Sequence, residues 1–230
     1  MLTNRLETVK NLVENSNTVF DVGTDHGYVP ISLINEKRAK KVIAADINKG
    51  PLDNAEKNIR LAGLTNEIEL RLGSGMVPMK DGEADTVVIA GMGGILISDI
   101  IKESYDKALK VKRFILQPMY SQDFLRNYLI NNGFKITNEY LSRENEKVYN
   151  IIVATPGKEE KDYSNNAFVV FGHPDNHIKN EVFKYYIEKR KNHLTNVYQS
   201  LKMAKTDKEE EINNTKNLLS ALEEYYACTL

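Results

Sequence analysis

The amino-acid sequence predicts an α/β fold in which a mostly parallel β-sheet is closed by an antiparallel hairpin and followed by a helical hairpin. Three observations lead to this prediction. Short apolar segments alternate with helical segments over the first 132 residues, which is typical of parallel sheets with right-handed crossovers. Two more strand-like segments follow with only seven residues between them, too few for a crossover helix, so this pair must be antiparallel. Heptad-like apolar spacing then begins at Phe183.

The first predicted element is a helix over residues 3–14, with Thr3 as its N-cap and Leu6, Val9 and Val13 on one face. Strands and helices then alternate. The strands Thr-Val-Val-Ile-Ala and Arg-Phe-Ile-Leu-Gln are nearly all apolar at their centres, as expected when helices cover both faces of a sheet. The strands are expected at 18–22, 41–46, 68–72, 86–90 and 113–117, and the helices between them at 31–37, 51–62, 95–104 and 122–132.

The remainder of the chain predicts the hairpin and a second domain. Strands over 134–140 and 148–154 form the antiparallel pair, and the polar segment 155–166 contains Pro and Gly. This segment predicts a boundary between a domain of residues 1–160 and one of residues 161–230. In the second domain apolar residues recur at spacings of three and four, and Thr206 is placed to form a capping box with Glu209. We therefore expect an antiparallel, coiled-coil-like helical hairpin.

The composition narrows the classes of function. Hydrophobic residues make up 41% and charged residues 27% of the 230 residues, as in ordinary soluble proteins. No apolar run is long enough to span a membrane, and the N-terminus has no signal-peptide core. One Cys and four His give little support for a zinc site or any other metal. The single Cys also excludes an internal disulfide, so we expect a cytoplasmic protein. The oligomeric state stays open, with a monomer favoured.

A glycine-containing loop after the first strand indicates a nucleotide-type ligand. The segment Asp-Val-Gly-Thr-Asp-His-Gly-Tyr-Val-Pro occupies residues 21–30, and Gly permits a close approach between the backbone and a ligand. Dinucleotide sites place a second Gly where this chain has Asp25. A carboxylate there would repel a pyrophosphate but could accept hydrogen bonds from an ammonium group. The loop therefore favours S-adenosylmethionine over NAD.

Other strand ends support the same ligand. Asp46 ends the second strand, where an acid can accept hydrogen bonds from both ribose hydroxyls, and the third strand ends at Leu-Gly-Ser-Gly-Met, residues 72–76. Ligands of open α/β sheets bind at such ends, although each glycine taken singly could be an ordinary turn residue. The predicted cofactor-binding residues are Asp21, Gly23, Thr24, Gly27, Asp46, Ile47, Ser74, Gly75, Gly91 and Gly93.

Taken together, the loop at 21–30, Asp46, Gly-Met-Gly-Gly at 91–94 and Leu-Gln-Pro at 116–118 resemble one known family. This is the bacterial tRNA (adenine-22-N1)-methyltransferases, which have a Rossmann-like class I methyltransferase sheet. The resemblance covers most of the chain, including Leu-x-x-Arg-Leu at 2–6, and implies S-adenosylmethionine as cofactor and tRNA as substrate. The chain departs from the family at two positions: Ser74 replaces an acid at the adenine-binding corner, and Met119 replaces Asn after Leu-Gln-Pro.

The polar residues of the first loop are the candidates for catalysis. Methylation of adenine N1 makes the base cationic, so a nearby carboxylate would stabilise the transition state more than the ground state. Asp25 is the candidate for this role, with His26 or Tyr28 orienting the base. Other roles stay open for each residue: Asp25 could bind the cofactor's ammonium group, His26 could cap the following helix or satisfy backbone groups, and Tyr28 could belong to the core.

Two groups of residues are candidates for binding RNA. At Gly91, Gly93 and Gly94 no side chain would hinder an extruded base from approaching the backbone. Residues 178–205 contain seven Lys or Arg against two acids, whereas 206–230 contain two Lys against six acids. The net charge of the chain is therefore near zero although one of its helices is basic and could contact phosphates. Charge pairing across the hairpin is the alternative. The predicted RNA-binding residues are Arg5, Gly94, Gln117, Pro118, Lys189, Arg190 and Lys191.

The expected function is methylation of N1 of an adenine in tRNA. Because a fold does not determine its substrate, two alternatives remain at this stage: a methyltransferase of the same fold acting on another substrate, or a non-catalytic, cofactor-sensing RNA-binding module.

Overall fold

The structure is a computed structural model that describes residues 2–177, 180–204 and 208–227. The chain forms two compact units, Met1–Glu160 and Lys161–Leu230. In the first unit the elements are α1 (Asn4–Asn11), β1 (Ser16–Val22), α2 (Tyr28–Asn35), β2 (Ala39–Asp46), α3 (Lys49–Ala62), β3 (Ile68–Leu72), β4 (Thr86–Met92), α4 (Gly94–Glu103), α5 (Tyr105–Ala108), β5 (Arg113–Pro118), α6 (Gln122–Asn131), β6 (Phe134–Glu144) and β7 (Lys147–Pro156).

The seven strands form one sheet in the order β3-β2-β1-β4-β5-β7-β6. Strands β1 to β5 pair in parallel, and β7 pairs antiparallel with both β5 and β6. The predicted fold class is therefore confirmed. Fully buried side chains line the central strands, including Val19, Phe20, Val42, Ile43 and Val88. The direction in which successive strands are added reverses at β1, because β2 lies on one side of it and β4 on the other. Ligands of open α/β sheets bind at such topological switch points.

Several boundaries differ from the predictions: α1 ends at Asn11 rather than at residue 14, and two further differences have clear physical reasons. Residues 141–144 and 147, predicted as part of a loop, lie in β6 and β7, which leaves a two-residue turn in which Asn145 has a φ of 53°. Residues 142–144 are polar, which suits β6 because it is an edge strand of the sheet. Helix α2 begins at Tyr28 rather than at residue 31, because Pro30 lies in its first turn, where the backbone N–H has no intrahelical partner.

A buried ion pair connects α6 to the hairpin. The guanidinium of Arg126 on α6 contacts the Glu139 carboxylate on β6 at 2.7–2.8 Å, and both side chains are fully buried. The same guanidinium donates to Asn150 Oδ1 on β7 at 3.3 Å. Because an unpaired buried charge is costly, this cluster fixes α6 against the two antiparallel strands, and thereby the segment that leads from β5 into α6.

The second unit is helical, as predicted. It contains α7 (Asn166–Phe171), a 3-10 helix (Pro174–Asn176), α8 (Glu181–Lys202) and α9 (Glu209–Ala227). Helices α8 and α9 pack against each other, and Lys191 Nζ lies 2.9 Å from Glu223 Oε1, a pairing that fits antiparallel helices. Thr206 of the predicted capping box lies outside the described residues. None of the described helices is both long and apolar enough to cross a membrane.

Candidate active site at the carboxyl edge of the sheet

Glycines shape the loop between β1 and α2. Gly23 has a φ of 80° and Gly27, the N-cap of α2, a φ of 68°, a left-handed conformation that other residues rarely adopt. A Cβ at Gly27 would also lie 3.3 Å from the Ala55 Cβ. The N–H groups of Gly23 and Thr24 donate to the Ala45 carbonyl at 2.8 and 3.1 Å. The loop is thereby held against the carboxyl end of β2.

Two cavities open at this edge of the sheet. The first, which we call the β2 cavity, has a volume of about 350 Å³, and the second, the α2 cavity, about 330 Å³. Both are lined by Val22, Gly23, Ala90 and Gly91, so they meet where β1 and β4 end. The β2 cavity is also lined by Asp46, Ile47, Asn48, Ser74, Gly75 and Leu96. The α2 cavity is also lined by Arg5, Asp21, Thr24, Asp25, His26 and Tyr28.

The carboxylate of Asp46 stands at the rim of the β2 cavity. Its Oδ1 accepts the Asn48 N–H at 2.8 Å, and the side chain is partly buried. Among the residues that the structure describes, no Lys, Arg or His forms an ion pair with it. An acid held by a backbone N–H at a strand end is well suited to accept ligand hydroxyl groups.

Asp21 is the buried acid of the α2 cavity. The residue is only 6% exposed, and burial raises its pKa to about 6, with the nearby Thr24 side chain acting against this shift and the negative charge of Asp46 acting in the same direction. No side-chain cation of the described residues pairs with it. A buried carboxylate without a protein cation, beside a cavity, fits a ligand that carries an ammonium group.

Asp25, His26 and Tyr28 form an exposed group. Asp25 Oδ2 lies 3.3 Å from His26 Nε2, and the two side chains are 73% and 44% exposed. The His26 and Tyr28 rings are stacked, with centroids 5.3 Å apart and an interplanar angle of 21°. Tyr28 is 49% exposed, so it does not belong to the core. The N-cap position of α2 is occupied by Gly27, and within the described residues the His26 ring contacts Asp25 and Tyr28, which does not support the capping role considered for His26.

The buried side chain of Gln117 makes hydrogen bonds to residues on the wall of the α2 cavity. The Gln117 Oε1 accepts hydrogen bonds from Arg5 Nη1 and, at 3.0 Å, from the Gly91 N–H, while its Nε2 donates to the Pro118 carbonyl at 3.1 Å. Gln117 and Pro118, predicted to bind RNA, are both buried. The structure therefore places Gln117 as a support for Arg5 and Gly91.

Arg5 is held by the hairpin as well. Its backbone N–H donates to Glu144 Oε1 at 2.7 Å, and its guanidinium lies 5.5 Å from the centroid of the Tyr149 ring. Burial raises the pKa of Glu144, but the Arg5 N–H and further hydrogen bonding and charge outweigh it, so the pKa lies below its ordinary value. Arg5 therefore has a fixed position on the wall of the α2 cavity.

The glycines of residues 91–94 have different surroundings from those predicted. A Cβ at Gly94 would collide with the Ser121 carbonyl, and one at Gly93 would lie 2.5–2.8 Å from atoms of the Tyr120 ring. These two glycines make room for the segment after β5, and the interpretation that their surface is open to a base is wrong for this conformation. Gly91 keeps an open side, since the nearest atom to a Cβ there would be Arg5 Nη1, 3.7 Å away.

The structure does not bring the predicted basic residues of α8 together on one surface. Lys189 and Lys191 are exposed and Arg190 is partly buried. Lys191 pairs with Glu223, so charge pairing across the hairpin occurs at this position. The Arg190 guanidinium lies 5.5 Å from the Phe171 ring centroid, and Lys189 Nζ lies 5.8 Å from that of Tyr185.

Several residues of the site were not predicted. Asn48, Met92 and Leu96 line the β2 cavity, and Glu144 and Tyr149 hold Arg5. The first three follow strand ends, a signal that could have identified them. The last two lie in polar strands of the hairpin, and no local pattern distinguishes them. No group of three or more His, Cys, Asp or Glu within the described ranges is arranged to hold a metal ion.

Several of the known proteins to which this chain is similar are methyltransferases. The family described as a methyltransferase domain matches residues 2–152. The chain is 32% identical to the Bacillus subtilis tRNA (adenine(22)-N(1))-methyltransferase over 225 residues, which are 96% of this chain and 94% of that protein. A Streptococcus pneumoniae protein solved in complex with S-adenosyl-L-methionine superposes with a TM-score of 0.83 at 32% identity, covering 98% of this chain and 99% of that one.

A further solved structure contains the product form of the same cofactor. M. capricolum TrmK in complex with S-adenosyl-homocysteine covers 100% of both chains, with a TM-score of 0.85 at 27% identity. The similarity extends over both units of the chain, including the helical one.

Proposed function

The chain belongs to the tRNA (adenine(22)-N(1))-methyltransferase family, and from this membership we infer that it transfers a methyl group from S-adenosylmethionine to N1 of adenine 22 in tRNA. The observation that carries the inference is similarity along 96% of the chain to a relative with this activity. The two adjoining cavities fit it, because one can hold a cofactor and the other a base. The comparisons support neither alternative, a different substrate or a non-catalytic module.

We propose that the β2 cavity and the buried end of the α2 cavity hold the cofactor. Asp46 would accept the ribose hydroxyls, Ile47, Ser74 and Gly75 would surround the adenine, and Asp21 would neutralise the ammonium group. The cofactor would also contact the backbone of four residues, Gly23, Thr24, Gly27 and Gly91. This assignment is supported by two acids, one buried and one partly buried, that have no cationic side-chain partner in the described part of the chain. When bound, S-adenosylmethionine supplies an electrophilic methyl group on a sulfonium.

The rest of the α2 cavity would receive the target base. An adenine in a base pair or stack hides its N1, so it must be extruded before it can react. The N1 lone pair is already nucleophilic, so no side chain has to remove a proton first, and the protein contributes position and charge. Tyr28 and His26, stacked and half exposed, would orient the base, and Arg5 would form the opposite wall.

Asp25 would stabilise the charge that develops on the base. Its carboxylate is exposed at the cavity, so a cationic adenine could lie beside it as the bond to the methyl group forms. Asp21 is the more suitable partner for the cofactor's ammonium group, because it is buried whereas Asp25 is not. This difference favours catalysis over cofactor binding for Asp25.

We expect Asp25→Asn to lower turnover about tenfold, since one exposed and solvent-screened charge is lost, while cofactor affinity stays near that of the wild type. Single-turnover methyl transfer and calorimetry measure the two quantities separately. Asp53→Asn, an exposed acid on α3 outside both cavities, is the matched control and should change neither. A large loss of cofactor affinity in Asp25→Asn would assign this residue to the ammonium group instead.

The proposed reaction is tested by incubating the full chain with tritiated S-adenosylmethionine and an unmodified tRNA transcript that carries adenine at position 22. We expect 1-methyladenosine at that position after nuclease digestion and mass spectrometry, and no transfer to a transcript with guanine there. Label on another nucleoside, or no transfer to either tRNA, would overturn the proposal. Since tRNA is the substrate, we also propose a cytoplasmic location, and light scattering would test the monomer expected from the sequence.

We further propose that α8 supplies phosphate contacts, with Lys189 as the first candidate because its side chain is exposed. Lys189→Glu is expected to weaken tRNA binding and to lower the log–log slope of affinity against salt by about one. Lys216→Glu, an exposed lysine on α9, makes the same change in net charge and is the control. Equal effects of the two variants would mean that only net charge matters and that α8 has no particular contact.

A further inference from the structure

The exposed aromatic side chains lie at one edge of the first unit. Among the Phe and Tyr residues within the described ranges, three are exposed: Tyr28 at 49%, Tyr120 at 64% and Phe124 at 48%. Tyr28 follows β1, and the other two follow β5, so all three lie at the carboxyl edge of the sheet, where the two cavities open. Tyr28 has a proposed role in the α2 cavity, whereas Tyr120 and Phe124 line neither cavity.

Backbone hydrogen bonds fix Tyr120 in place. The Met119 N–H donates to the Met92 carbonyl, and the Gly94 N–H donates to the Tyr120 carbonyl, both at 2.8 Å. The ring packs on Gly93, where a Cβ would lie within 2.5–2.8 Å of it. One side of the ring is thus supported by backbone while most of its surface faces solvent. This is the arrangement of a rigid platform, and it adjoins Gly91 and Met92, which line the cavities.

We propose that Tyr120, together with Phe124 in the first turn of α6, stacks against a nucleobase next to the adenine that the α2 cavity receives. This inference rests on the proposed function. Extruding one base leaves the faces of its neighbours uncovered, and an aromatic ring replaces the lost stacking because every base has a π-face. The ring is continuous with the proposed active site, which favours a base of the same tRNA as its occupant. The Leu-Gln-Pro motif would then have two roles: Gln117 accepts the Gly91 N–H, and the motif leads directly into the segment that carries Tyr120.

The test compares Tyr120→Ala, Tyr120→Phe and Leu109→Ala in the full chain. Leu109 is 41% exposed and precedes β5, so it lies at the opposite edge and serves as the control for an exposed apolar residue. We expect Tyr120→Ala to weaken tRNA binding about five- to one-hundredfold, and Tyr120→Phe to bind as the wild type does, because the ring is retained. Calorimetry with S-adenosylmethionine should give the same affinity for all four proteins.

A second readout reports stacking directly. A transcript with 2-aminopurine beside position 22 should remain weakly fluorescent when bound to the wild type or Tyr120→Phe, and brighten when bound to Tyr120→Ala. The inference is overturned if the wild type methylates the tRNA but Tyr120→Ala binds it equally well. It is also overturned if Tyr120→Ala loses cofactor affinity together with tRNA affinity, because the ring would then be a structural support for Gly93. Failure of the wild type to methylate any tRNA would instead overturn the proposed function.

Discussion

Replacing Asp46 with alanine should weaken S-adenosylmethionine binding by about two orders of magnitude or more. A hydrogen bond to a charged acceptor is worth about 1.5–3 kcal/mol, and the proposed contacts to the ribose hydroxyls number two, so the combined loss exceeds a hundredfold in affinity. The side chain is only partly buried, and its one protein partner in the described residues is the Asn48 N–H. The fold should therefore remain intact.

Calorimetry with S-adenosylmethionine and thermal unfolding of the ligand-free protein separate these two effects. Asp46→Asn is the graded variant, because an amide can still accept a hydrogen bond from a hydroxyl, though without the charge. We expect its affinity to fall between those of the wild type and Asp46→Ala. An unchanged affinity in Asp46→Ala would remove this residue from the cofactor site.

Asp21→Asn should make the ligand-free protein more stable at pH 7. The pKa of this acid is 3.8 ordinarily and about 6 in the folded protein. Between these values the folded state binds more protons than the unfolded state, so the free energy of unfolding falls as the pH rises through this range. Above pH 6 the full penalty, roughly 3 kcal/mol, is present. An amide carries no charge and avoids it.

The same replacement should weaken cofactor binding, because the buried carboxylate is the proposed partner of the ammonium group. In the wild type, affinity for S-adenosylmethionine should fall below about pH 6, as Asp21 becomes protonated. Thermal unfolding with and without the cofactor, measured from pH 5 to pH 8, tests both statements. Lower stability of Asp21→Asn at pH 7, or an affinity that does not depend on this residue, would contradict them.

The sequence was most informative where strands are buried on both faces. The predicted strands agree with β1 to β5 within two residues at each end, because parallel strands covered by helices are continuously apolar. It was least informative in β6, where polar residues alternate along an edge strand. Helices α5 and α7, of four and six residues, were not predicted, since such short helices depend on tertiary packing more than on their own sequence.

The candidate cofactor site was predicted from strand ends, and the structure places all of its predicted residues except Gly93 along the lining of the two cavities. What the sequence could not reveal were contacts between distant segments. The bond from Arg5 to Gln117 joins residues 112 positions apart. The packing of Tyr120 on Gly93 shows that this glycine makes room for an aromatic ring of the protein rather than for a base. The Arg126–Glu139 pair is likewise invisible to local patterns, because either residue alone resembles an ordinary surface charge.

The attachment of Arg5 to Glu144 has a consequence for the order of assembly during synthesis. These residues are 139 positions apart, so α1 leaves the ribosome long before the strand that holds it. Closing a loop of this length costs more entropy than forming contacts between neighbouring elements. Strands β1 to β5 can pair, and Gln117 of β5 can accept the Arg5 guanidinium, while the Arg5 N–H still lacks its Glu144 partner. Arg5 on the wall of the α2 cavity therefore gains its second anchor, the bond from its N–H to Glu144, only when the hairpin has been made, and a nascent chain lacking β6 holds Arg5 through Gln117 alone.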